Sequence, residues 1–138
     1  MENIINEGSL DYDEVVKIIS CKHSAARSVE EQAADKMGAF RSCKVLAKTL
    51  TETYKVDVLP LCFDVRNKVE VQAAIASLPE KWTNIDVLLN NAGLASGLDK
   101  IQNGKIEDWE TMIDTNVKGL LYVTHEIIPF FIKNKQII

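Results

Sequence analysis

The stretch Ile85-Asp86-Val87-Leu88-Leu89-Asn90-Asn91-Ala92-Gly93 decides how the rest of the chain is read. Four apolar residues surround one Asp and then give way to turn formers. A short apolar run that stops this way predicts a strand buried on both faces, as in a parallel sheet. Ligands of open α/β sheets sit outside the carboxyl ends of such strands. Ala92 and Gly93 would let a ligand approach the main chain there, while Asn90 and Asn91 offer donors and acceptors. A plain strand-to-loop turn would account for the same residues.

Working outward, Val56 to Val65 is a second apolar run, with Asp64 where it ends. Pro60 within it argues for an edge position or the strand entry, because proline gives the ladder no N–H. Val15 to Ser20 predicts a first strand, and a helical stretch to Met37 follows, with Gly38 as its cap. Val45, Leu46, Thr49, Leu50 and Thr53 space as one helix face. Val69 to Leu78 predicts a helix stopped by Pro79. Leu94 to Lys105 is polar and Gly-containing, hence a loop. A long last helix is expected from about Glu107 to Asn134, with acids in its first turn, lysines at its far end and a kink or break at Pro129. Trp109, Ile113, Leu120, Thr124 and Ile127 share a face with Asn116, which would bury a carboxamide in an apolar stripe.

Asp64-Val65, then Asn90-Asn91-Ala92-Gly93, then Asn116-Val117, in this order and spacing, resemble the short-chain dehydrogenase/reductase family. The string Asp108 to Gly119 (DWETMIDTNVKG) resembles its branch that oxidises 3-hydroxy acids and serine or threonine analogues with NADP. The resemblance implies an α/β fold: a partial Rossmann-like doubly wound parallel sheet in three α/β/α layers, with strands missing. It further implies cofactor contacts at Asp64, Val65, Asn90, Asn91, Ala92 and Gly93. Asp64 would accept from the adenine amino group, Val65 would present its backbone beside it, and Asn116 would be catalytic through a helix carbonyl and a water. From the residues alone, Asp64 could equally be a helix N-cap. NADP is the implied cofactor, NAD is left open, and binding should be weak.

The departures from the family pattern carry as much information. Aligning Gly38-Ala39 with the end of the first helix puts Cys21, Ala25 and Arg27 where the phosphate loop has its three glycines. Those glycines permit the tight turn and the close approach of backbone N–H groups to the pyrophosphate. The second strand, which selects NAD or NADP in the family, is missing between Ala39 and Leu46, and Val56–Phe63 would then have no neighbour. Family members use a Tyr with a Lys four residues on; here Tyr12, Tyr54 and Tyr122 are followed at that spacing by Val16, Val58 and Glu126. The 138 residues by themselves are therefore expected to be inactive. The alternative is a non-catalytic interaction module that pairs with an intact relative, or a homo-oligomer through the last helix. A phosphoacceptor receiver is disfavoured by Ser20-Cys21, where an acidic pair would be needed.

Composition sets the remaining limits. With 46% hydrophobic residues, 26% charged residues and a net charge of −4, the chain is an ordinary globular one without a nucleic-acid surface. His125 and Glu126 interrupt the longest apolar stretch, so no membrane span is expected. Neither His23 nor His125 has metal-ligand neighbours, so no metal site is expected. Cys21, Cys43 and Cys62 are widely spaced and odd in number, which predicts reduced thiols in a cytoplasmic protein. Residues 1–14 hold five acids and no base. They are expected to form a mobile acidic leader, with the incomplete domain over 15–138.

Overall fold

The computed structural model describes residues 18–20, 29–97 and 99–134. The leader and the segment carrying Cys21, Ala25 and Arg27 lie outside these residues. The described elements are strand β1 (Ile18–Ser20), helix α1 (Val29–Tyr54), strand β2 (Leu59–Leu61), helix α2 (Lys68–Ala76), a 3₁₀ turn (Glu80–Trp82), a second (Ile101–Asn103), helix α3 (Ile106–Ile113), a π-type segment (Asp114–Gly119) and helix α4 (Leu120–Lys133).

β1 and β2 pair in parallel, with Ile18 opposite Leu59, Ile19 opposite Pro60 and Ser20 opposite Leu61. The run around Leu59 thus has a neighbour, contrary to the sequence expectation. The reason lies in α1, a single helix of 26 residues that rises about 39 Å. It runs through Gly38, which caps nothing, and carries the chain from one strand directly to the other. Of the anticipated face on α1, Val45 and Leu46 are exposed, whereas Ala47, outside that face, is buried. Cys43 is disulfide-bonded, which corrects the expectation of three reduced thiols, whereas Cys62 is not in a disulfide.

Ile85–Gly93 is not a strand. Among the described residues only β1 and β2 form a ladder. Outside any ladder among the described residues, the stretch turns its side chains unequally. Ile85, Leu88 and Ala92 pack on the core, whereas Val87 and Leu89 are 77% and 83% exposed. Phe63, Val65, Val71, Ile75, Ile127 and Phe131 make that core, where the exit of β2 meets α2 and α4. Val71 and Ile127 are its most deeply buried large side chains.

The last helix matches its expectation in extent, running from Ile106 to Lys133, and Pro129 sits inside α4 without ending it. What the sequence did not announce is the π-type segment in its middle. Such segments hold an extra residue in a helix and are frequent at functional sites.

Candidate functional site

Asn67 caps α2: its side-chain oxygen accepts from the backbone N–H of Val69 (3.1 Å) and Glu70 (3.3 Å). Glu70 turns back to accept from the backbone N–H of Asp64 at 3.0 Å. Asp64 is therefore not the N-cap. Its carboxylate is gripped by Arg66, through the backbone N–H at 2.9 Å from Oδ1, Nε at 3.0 Å from Oδ1 and 3.1 Å from Oδ2, and Nη2 at 2.6 Å from Oδ2. Both side chains are mostly buried, 24% exposed for Arg66 and 17% for Asp64. The Asp64 hydrogen bond holds the Arg66 guanidinium above its ordinary range, with the charges of Asp64 and Asp114 adding to it. An open cleft of about 480 Å³ lies over this pair, and Asn67, Lys68, Val69, Asp114 and Tyr122 complete its lining.

Val65 does not line that cleft; it is buried, 7% exposed. Gly119, at the end of the π-type segment, packs on it so closely that a Cβ would lie 2.8 Å from Val65 Cγ2. The segment opens with Asp114, which accepts from Lys118 Nζ at 2.7 Å, and this bond raises the Lys118 ammonium above its ordinary value.

Asn116, in the middle of the segment, is exposed and not part of a buried stripe. Its carboxamide pairs with the backbone of Leu94: Leu94 N–H donates to Oδ1 and Nδ2 donates to the Leu94 carbonyl, each at 2.8 Å. Two bonds to the main chain of one residue hold the loop at the end of Asn90-Asn91-Ala92-Gly93. Gly93 lies beside this contact, with a notional Cβ 3.8 Å from Asn116 Oδ1. Asn90 donates from Nδ2 to Thr124 Oγ1 at 2.9 Å, and Asn91 is exposed.

Two residues not singled out from sequence complete the loop. Ser96 donates to Asp108 Oδ1 at 2.7 Å. Gly97 has φ +75°, and a Cβ there would lie 3.1 Å from Asp108 Oδ2. The available signal was Gly97 in a polar loop, followed by an acid in the first turn of a helix. The structure thus gathers Asn90, Ala92, Gly93 and Asn116 around one loop. Asp64 stands with Arg66 in the cleft, whose rim Asp114 shares with the π-type segment.

A parallel strand pair joined through a long helix, followed by a loop clasped by a helix carboxamide, defines an α/β chain. The short chain dehydrogenase family matches residues 22–137, and the chain belongs to that family. Over 80 residues it is 49% identical to the NADP-dependent 3-hydroxy acid dehydrogenase of Salmonella typhi, covering 58% of this chain and 32% of that protein. With the NADP-dependent 3-hydroxy acid dehydrogenase of Schizosaccharomyces pombe it shares 45% identity over 97 residues, 70% of this chain and 38% of the other. Serine dehydrogenase from Escherichia coli superposes with a TM-score of 0.65 and 32% identity, over 91% of this chain and 49% of that one. The chain thus spans about a third of the length of these curated relatives. Among the described residues, no helix is long and apolar enough to cross a membrane.

Proposed function

We propose that this chain is the base-holding and loop-positioning part of an NADP-dependent oxidoreductase that acts on a 3-hydroxy acid or a similar alcohol, in the cytoplasm. The observation that carries the reading is the double clasp of Asn116 on Leu94, which fixes the loop where the family resemblance puts the cofactor. The residues at the adenine end fit that group. Asp64 lines a cleft open to solvent, and Gly93 leaves the backbone accessible, with 3.8 Å between a notional Cβ and its nearest neighbour. NADP, when bound, would accept or supply the hydride.

In this reading Asp64 takes the adenine amino group, Val65 supports it from the core, and Asn90 to Gly93 line the cofactor's path. Asn116 holds the loop and orders the π-type segment. None of the tyrosines at 12, 54 and 122 has a lysine four residues on, so these residues contain no pair poised to move the substrate proton. The 138 residues alone then bind the cofactor weakly and turn nothing over. A titration of the isotope-labelled chain with NADP should shift the amide signals of Asp64–Arg66 and Asn90–Gly93, with a Kd on the order of millimolar. Reduced nicotinamide should not accumulate with any 3-hydroxy acid. Silence at those amides would overturn the binding site, and turnover abolished by Asn116→Ala would overturn the inactivity.

A second reading, an interaction module, has one observation in its favour. Ile113, Val117, Leu121 and Ile132 are more than half exposed along the last helix, a stripe suited to pairing with another copy or an intact relative.

A further inference from the structure

Asp64 and Arg66 are two residues apart and face the same cleft, and their geometry does more than neutralise a charge. An ionised carboxylate offers about four acceptor positions on two oxygens. Arg66 reaches both oxygens. Oδ1 receives its backbone N–H and Nε–H, while Oδ2 receives Nη2–H at 2.6 Å and shares Nε–H. A bare carboxylate in a cleft is a good receptor for two parallel N–H donors, because its two oxygens match a donor pair in spacing and direction. Guanine presents such a pair in its ring N1–H and its exocyclic amine. Adenine presents one amine flanked by acceptors.

We infer that Arg66 is a specificity-determining residue for the base end of the cleft. By occupying both oxygens of Asp64 it admits a single exocyclic amine, as on adenine, and turns away the paired donors of guanine. The inference rests on the reading of Asp64 as the residue that meets the cofactor's base. The rest of the wall suits a base. Tyr122 gives a flat ring on the rim, and at the α2 N-terminus Asn67 holds the N–H groups of Val69 and Glu70. Discrimination here works by occupancy: a guanine ring would have to break the Arg66 fork before its donors could seat, leaving a mostly buried guanidinium without its partner. Arginine suits this task where lysine does not, because its planar fork holds two oxygens at once and an ammonium holds a point.

The test compares AMP with GMP, which differ only in the base, by chemical-shift titration of the full chain. In the native chain AMP should bind about tenfold more tightly than GMP, the scale of one hydrogen bond to a charged group. In Arg66→Ala the ratio should fall to within about twofold, chiefly through a gain in GMP affinity as the carboxylate opens. Arg66→Lys, which keeps the charge and much of the packing, should give an intermediate ratio and covers the case in which the alanine variant fails to fold. An AMP-to-GMP ratio unchanged in both variants would overturn the role of Arg66 alone. AMP shifts that are absent from Asp64–Val69, or unaffected by Asp64→Ala, would instead overturn the underlying reading of Asp64.

Discussion

At the scale of single residues, two glycines in helical segments should respond with opposite signs to the same change. Gly38 is exposed within α1, and a Cβ there meets nothing within 4 Å. Gly38→Ala should therefore stabilise the chain by about 0.5–1 kcal/mol, because alanine loses less backbone freedom on folding. At Gly119 the added carbon lands 2.8 Å from Cγ2 and 3.1 Å from Cβ of the buried, β-branched Val65. Valine has one stiff torsion and cannot swing aside. Overpacking of that kind costs roughly 1–3 kcal/mol, against a helix-propensity gain of about 1. Gly119→Ala should thus lower stability, by up to about 2 kcal/mol. Urea denaturation of both variants measures the contrast directly. Asn116→Ala removes two exposed hydrogen bonds, each contributing roughly 0.5–1.5 kcal/mol. Its more telling sign is faster hydrogen exchange at the Leu94 amide, which donates to Asn116.

At the scale of elements, α2 depends on Asn67, and Asn67→Ala should destabilise by about 1 kcal/mol in the same denaturation series. α2 is tied to α4 by Gln72, whose side-chain N–H donates to Glu126 at 3.1 Å. That bond, together with His125 alongside, lowers the Glu126 carboxyl below its ordinary value. A carboxyl lowered in the folded state adds stability that is complete above its unfolded value. That stability is lost as pH falls through the folded one. The acid limb of the stability curve should accordingly be shallower in Glu126→Gln than in the native chain, and urea midpoints taken from neutral to acid pH would show it. Sequence reading succeeded where one period governs a whole element. It placed α2 and the span of α3 to α4 within a few residues. It failed on the environment of Asn116, because a 3.6-residue stripe drawn from Trp109 to Ile127 assumes an unbroken α-helix. The π-type segment breaks that period, leaving Ile113 52% and Leu120 43% exposed while Ile127 is 2% exposed. It failed also at Ile85–Leu89, since local pattern specifies a strand only if another strand lies beside it. The Arg66 grip on Asp64 was out of reach, because a sequence does not show which way a long side chain folds back.

At the scale of the molecule, exposure of Val87 and Leu89 on an extended stretch, with the apolar stripe of the last helix, leaves surface that monomers rarely carry. The chain should associate as its concentration rises and melt broadly. Replacing Val87 and Leu89 together by lysine should shift light scattering toward the monomer without altering the helical circular dichroism. A native chain that scatters as a monomer and melts sharply above about 60 °C, the upper part of the usual mesophile range, would refute this.

The π-type segment also works as a spacer that sets the angular phase between the two ends of the last helix. Each residue of an α-helix turns the chain by about 100°. A π turn holds one residue more than an α turn, so Asp114–Gly119 absorbs that extra residue and keeps α3 and α4 in phase; removing a second residue beyond it would rotate α4 by about 100° relative to α3. Ile127 and Phe131 would then swing out of register with Phe63, Val71 and Ile75, although the composition of the core had scarcely changed. Deletion of Val117 and Lys118 together should for this reason be far more damaging than deletion of Val117 alone, whose loss the segment absorbs by rewinding as α-helix. The folded state depends less on which side chain stands at that position than on the count of residues through it.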